Sequence, residues 1–242
     1  MKPLEELSYA ELMALFPIVL APHRREWQEQ YARERERLLA RLPEGAVFRL
    51  SHVGSTAIDG IWAKPTVDMV LEAAGAEAFE RLDAAIPACG YIRMRSEEGR
   101  VSFNRGYTPK GFAQEVFHLH LRLPGDADEV FFRDHLNLRP DLAAEYERLK
   151  LSLWKPYEHD RDGYTAAKGD FVRRVTAEAK RHFTSPNDRP AQFHRCAGHR
   201  FTMICAATLL LHPFTRESIF KPLWPSGLTI YQLCAAVCRM HK

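Results

Sequence analysis

Cysteine is scarce through most of this chain. Of its five cysteines only Cys89 lies before residue 190, while Cys196, Cys205, Cys234 and Cys238 crowd the end, so no disulfide framework holds the main body. Long apolar runs are also missing: the longest, roughly Phe201 to Leu211, is too short to span a bilayer, and no membrane partner is expected. Neither sign of charge dominates, since 34 basic residues stand against 31 acidic ones. That balance makes nucleic acid an improbable partner and leaves any attraction for phosphate to local groups. The first residues lack the basic, apolar and small-residue succession of a secretory leader, so the expected location is cytoplasmic. What is present is ordinary globular composition, 46% hydrophobic and 27% charged, in a length of 242 residues that can bury one sizeable core.

Between Arg24 and Leu42 the apolar residues Trp27, Tyr31, Leu38 and Leu42 fall at helical spacing among charges, which predicts an amphipathic helix ended by Pro43-Glu44-Gly45. Ala46 to His52 reads as a strand, a small-residue turn follows, and Pro65 to Ala73 reads as a second strand. Its period of two puts Val67, Met69 and Leu71 on one face and Asp68, Val70 and Glu72 on the other. Glu77 to Ala88 predicts a helix, and Tyr91 to Arg95 with Val101 to Arg105 a hairpin. Gln114 to Leu123 alternates strictly, setting Phe117, Leu119, Leu121 and Leu123 against Val116, His118, His120 and Arg122. Three helices are then expected at about Asp128 to Leu138, Pro140 to Trp154 and Asp162 to His182, with Asp126 and Asp160 or Asp162 as caps. The fold class is α+β, a mixed sheet covered by helices.

The most informative stretch runs from His52 to Asp68. Gly54 lets the backbone approach a ligand closely, Ser55 supplies a hydroxyl and can cap a following helix, and helix N-terminal amides would offer an anion site. Asp68 projects from the next strand. Along an ideal strand Glu72 lies about 13 Å from Asp68 at ~3.3 Å per residue, too far for both to hold one ion without a bulge or the reach of the glutamate. His118 and His120 would complete a mixed carboxylate and imidazole metal site suited to manganese, zinc or iron; alternatively one of them is a general base, or the two are simply hydrogen-bonded on a covered sheet face. Lys64, Arg93, Arg95, Arg100, Arg105 and Lys110, with Asn104 among them, would clamp a triphosphate or form a solvated charged face. Tyr164 and Lys168 share a helical face, for packing or for ligand contact, and Arg133 with Asp134 reads as a structural ion pair or cap.

A glycine-serine turn followed by a strand acid resembles the nucleotidyltransferase superfamily. The longer string His52-Val53-Gly54-Ser55-Thr56-Ala57-Ile58-Asp59-Gly60-Ile61 through Asp68 resembles the GrpB family, as do Val116-Phe117-His118-Leu119-His120, Phe132-Arg133-Asp134, Leu149 to Trp154 and Tyr164 to Lys168, over roughly residues 9 to 180. The resemblance implies a nucleotidyltransferase-like fold. It also implies a transferase that binds a nucleoside triphosphate at Gly54 and Ser55, aided by Lys64, Arg100, Asn104, Arg105 and Lys168. Asp68, Glu72, His118 and His120 would be its catalytic and metal-holding residues, around a divalent ion, magnesium, manganese or zinc. The acceptor is unspecified. The chain departs from the superfamily pattern at Val70, where a second carboxylate is expected; that favours an alternative in which the fold persists as an inactive ligand- or partner-binding module. A metal-dependent hydrolase is a third reading.

The expected division is a GrpB-like domain over 1–184 and an atypical tail over 185–242, because beyond Pro190 the only carboxylate residue is Glu217 and no clean period recurs. The tail reads as an added, poorly folded extension, with a zinc site of His194, Cys196, His199, Cys234, Cys238 and His241 or a partner-binding segment as alternatives.

Overall fold

The computed structural model describes residues 3–183, and the expectations for the tail lie outside them. Among the described residues there are seven helices: α1 (Tyr9–Leu15), α2 (Glu26–Leu39), α3 (Ala76–Ala85), α4 (Asp128–Leu138), α5 (Pro140–Trp154), α6 (Arg161–Ala167) and α7 (Gly169–Phe183). The five strands are β1 (Val47–Val53), β2 (Val67–Ala73), β3 (Ile92–Glu97), β4 (Arg100–Thr108) and β5 (Gly111–Arg122). They form one sheet in the order β1-β2-β5-β4-β3. All neighbours are antiparallel except β2 and β5, whose parallel pairing makes the sheet mixed and the architecture α+β, as the sequence predicted. None of these helices is long and apolar enough to cross a membrane.

The period-two pattern of β2 and β5 decides which side is core. Val67, Met69 and Leu71 join Phe117, Leu119, Leu121, Val101 and Phe103 on one face, where Trp27 and Leu38 of α2 and Phe79 and Leu82 of α3 cover them. The opposite face is covered too. Val70 meets Val53 and α4 through Val130, and α4, α5 and α7 form a second core around Phe132, Tyr146, Phe171 and Val175 that takes in Ile58 and Ile61 of the β1–β2 connection. The sheet is thus sandwiched, and its polar residues on that second face lie under helices.

Three local expectations are corrected, and one helix is new. The short α1 is not evident from periodicity; it begins at a capping box in which the Glu11 amide donates to the Ser8 hydroxyl and the Ser8 amide to the Glu11 carboxylate. The single helix expected over Asp162 to His182 is two, broken at Lys168 and Gly169, where glycine weakens a helix interior. Asp126 does not cap α4; Ala127 occupies that position, and Asp126 accepts both hydrogen bonds of the Arg100 fork. No long helix follows Gly54-Ser55. The turn is one 3-10 segment, Ser55–Ala57, without a side-chain cap, so a helix-terminus anion site is not built there. Asp160 does cap α6, through the amide of Gly163.

Candidate functional site

Parallel pairing of β2 with β5 sets Asp68 directly beside His118, and antiparallel pairing of β4 with β5 sets Asn104 on the other side of His118. His118 Nδ1 lies 2.9 Å from Asp68 Oδ1, and its Nε2 lies 2.9 Å from the Tyr107 hydroxyl. Burial opposes the Asp68 charge, but the hydrogen bond from His118 and the electrostatic pull of neighbouring groups, Lys64 among them, outweigh it and hold the carboxyl below its ordinary range. Burial raises the Tyr107 phenol. An ionised carboxylate accepts only, so Nδ1 carries a proton toward Asp68, and in the neutral imidazole Nε2 is then left to accept from the tyrosine. The result is an ordered relay from Asp68 through His118 to Tyr107.

Tyr107 reaches this face because the register of β4 and β5 shifts between Arg105 and Tyr107. Gly106 allows the shift: it has a φ of +94°, and a Cβ there would lie 2.3 Å from the Glu115 carbonyl oxygen. Tyr107 went unnoticed in the sequence, where simple alternation puts it on the core side. A glycine inside an otherwise regular strand was the available signal.

Gly54 closes over the acid from the other side. Val53 is the register partner of Asp68, so the chain leaving β1 passes above the carboxylate. Gly54 has a φ of +70°, and a Cβ at that position would lie 2.3 Å from Asp68 Oδ2. The turn is braced beneath: the Thr56 hydroxyl donates to the Thr66 carbonyl at 3.0 Å and bonds His52 Nε2 at 2.9 Å. Helices clamp the same connection. Asn137 of α4 bonds the Ala57 carbonyl and the Asp59 amide, while Glu147 of α5 accepts from the Trp62 amide and buried Lys150 donates to the Trp62 carbonyl. The Arg133 guanidinium bonds both Asp134 and the His52 carbonyl, so the Phe132-Arg133-Asp134 motif is structural.

The predicted ligand residues divide. Lys64 and Lys168 are half-buried, feel the Asp68 charge, and are each lowered to about 8, by burial first. Lys64 lies over the Phe112 ring and Lys168 over the Tyr164 ring, with Nζ to centroid distances of 5.4 and 4.1 Å. Ser55 is half-buried at the turn. His120 is adjacent, its Nδ1 3.2 Å from the Ser102 hydroxyl, and burial lowers it to about 4, so it is neutral at pH 7. Three others go elsewhere. Glu72 is fully buried, ion-paired with Arg49 and accepting from the Gly125 amide, so it is occupied away from Asp68. Arg105 points to the opposite face, bonding Glu34 and stacking on Phe117. Arg100, paired with Asp126, stands four residues along β4 from Asn104, about 13 Å by strand rise.

These positions bear directly on a metal. Among the described residues no three His, Cys, Asp or Glu side chains gather as metal ligands. Asp68 has one oxygen on His118 and the other against Gly54, Glu72 is committed to Arg49, and His120 turns Nδ1 to Ser102. The four residues do not fit a two-metal centre.

Fold and site together define an α+β protein whose mixed sheet carries a histidine–carboxylate pair under a glycine turn, with two half-buried lysines that feel the carboxylate's charge. The family model described as GrpB protein matches residues 17–178, which include every residue of this site, and the chain belongs to that family. It is 33% identical over 166 residues to the UPF0157 protein SCO7215 of Streptomyces coelicolor, covering 67% of this chain and 84% of that protein. It is 31% identical over 179 residues to the UPF0157 protein YqkA of Bacillus subtilis, covering 72% of this chain and 51% of that protein, so it spans about half the length of that relative. The crystal structure of conserved protein GrpB from Enterococcus faecalis shares the fold at a TM-score of 0.60 and 24% identity, covering 69% of this chain and 99% of that one.

Proposed function

We propose that the site around Asp68 and His118 binds a phosphate-bearing small molecule, a nucleoside triphosphate foremost, as a binding site without a two-metal transfer centre. The observation that carries this reading is the pair Lys64 and Lys168, two half-buried cations that both feel the charge of the single carboxylate Asp68. Two partly desolvated cations near one anion gain from a second anion, and a phosphate chain supplies it. His118, held by Asp68, orders the remaining polar wall. Calorimetric titration of the protein with a panel of nucleotides tests the reading, with Lys64→Met and Lys168→Met each expected to weaken binding by about tenfold. Absence of binding by any nucleotide, with or without divalent ions, overturns it.

A second reading, metal-dependent nucleotidyl transfer to an acceptor, is favoured by the approach of Gly54 to Asp68, since a glycine turn against an acid is the part of the superfamily pattern this chain keeps. The same titrations with magnesium, manganese or zinc separate the two. A nucleotide affinity that requires the ion and is lost in Asp68→Ala supports transfer, whereas ion-independent affinity supports binding alone.

A further inference from the structure

A cavity of 560 Å³ opens on the other side of Tyr107, between the N-terminal segment and the outer edge of the sheet. Its body is apolar, walled by Met13 and Phe16 near α1 and by Met94 of β3, while its polar groups are Arg93, Asn104, Tyr107 and Arg161, of which Arg93 is already paired with Asp83. A volume of about 300–1,000 Å³ with few convergent polar groups is what small-molecule sites have. Met94 is 57% exposed although it is large and apolar, and its strand forms the sheet edge, so one wall of the cavity faces solvent.

Arg161 supplies the chemical direction. Its guanidinium lies over the Tyr107 ring at 5.6 Å, and its nearest hydrogen bond, to the Phe16 carbonyl, is long at 3.5 Å. Its Nε is buried and has no hydrogen-bond partner among the described residues. A cation that cannot lose its proton, set in an apolar wall with an unsatisfied donor, is complementary to an anionic head. Tyr107 stands at the same end, with its hydroxyl already committed to His118.

We propose that this cavity binds a small amphipathic anion, a carboxylate or phosphate ester with an alkyl or aryl body, its head on Arg161 and its body against Met13, Phe16 and Met94. The site goes beyond the nucleotide reading and needs neither Lys64 nor Lys168. Because Tyr107 lines this cavity and its hydroxyl bonds His118, the anion lies next to the Asp68–His118 relay.

The experiment titrates the full chain with decanoate, decyl phosphate and the neutral 1-decanol, each below micelle formation, by calorimetry. At least one anion is expected to bind about tenfold or more tightly than decanol, the ratio expected for a hydrogen bond to a charged group. Decanoate against decyl phosphate then separates the two head groups. Arg161→Gln is expected to erase the preference for the anion while decanol binding persists. Met94→Trp, which fills the cavity from an exposed position and leaves the fold undisturbed, is expected to weaken all three. Equal affinity of the three ligands for the unaltered protein overturns the proposal, as does an anion preference that survives Arg161→Gln or binding indifferent to Met94→Trp. If Arg161→Gln fails to fold, the ligand comparison and Met94→Trp still decide. A parallel ATP titration keeps the two readings apart: decanoate binding without ATP binding removes the nucleotide reading alone, and the converse removes this one.

Discussion

Gly54 is confined by two independent constraints, a positive φ and the Asp68 carboxylate where a side chain would stand. Gly45 shares the first constraint, with a φ of +71°, and not the second, since nothing lies within 4 Å of its missing Cβ. Gly54→Ala is therefore expected to cost about 1–3 kcal/mol of stability and to displace Asp68, abolishing nucleotide binding, while Gly45→Ala loses about 1 kcal/mol and keeps binding. Thermal unfolding and calorimetric titration of both variants check the pair. The Gly-Ser turn and the strand acid were legible in the sequence because glycine and a lone acid on a strand have few structural uses; their contact was not, because Val53 and Asp68 meet only through strand pairing.

His52 offers a pH test at the same scale. Burial lowers it to about 4, with the charges of Arg133 and His23 acting in the same direction and Asp68 opposing. Its folded pKa lies below the ordinary value near 6.5, so the unfolded chain takes up a proton that the folded chain refuses between pH 6.5 and 4. Stability from this group is present above about 6.5 and is lost as pH falls through that window. Urea unfolding at pH 7 and pH 5 should show a loss of roughly 1–2 kcal/mol from this residue, and His52→Asn should reduce the difference. An unchanged pH difference in the variant counts against the assignment.

At the scale of elements, β1 is an edge strand whose outward carbonyls are covered. The Tyr31 hydroxyl of α2 donates to the Leu50 carbonyl at 2.8 Å, and Arg133 of α4 bonds the His52 carbonyl. Covering those acceptors blocks pairing with a second chain. Tyr31→Phe combined with Arg133→Met is expected to increase self-association, read by sedimentation at rising concentration. Across the sheet, α5 fixes the connection that carries Gly54 through Lys150, which is 1% exposed and bonded to the Trp62 carbonyl. Lys150→Met leaves that carbonyl unpaired and is expected to cost about 1–3 kcal/mol, checked by thermal unfolding. The strands and the long helices were readable from period two and period 3.6. The break between α6 and α7 was less so, because a single glycine shifts helix preference by only about 1 kcal/mol and tertiary contacts decide the outcome.

For the whole molecule, the family match ends at residue 178 and the last described helix at Phe183, which is buried. A chain ended after residue 184 is expected to unfold cooperatively within a few degrees of the full chain and to bind the same ligands, measured by calorimetry on both. A large fall in unfolding temperature would move the boundary of the domain beyond 184.

The sequence by itself determined which residues face which side of β2 and β5, and so put Asp68, His118 and His120 on a face apart from Met69, Leu71, Phe117 and Leu119. That follows because side-chain alternation is a local property of extended backbone. Only the tertiary structure decided who meets whom. The parallel register of β2 on β5 joined Asp68 to His118 across 50 residues, and the shift at Gly106 brought Tyr107 to the same face. Glu72 was drawn to Arg49 and Arg105 to Glu34, leaving the acid that looked like half of a metal site with His118 as its partner and, among the described residues, no second carboxylate beside it. Register between distant strands, and the helices that cover them, are set by packing of the whole core, which no local pattern contains.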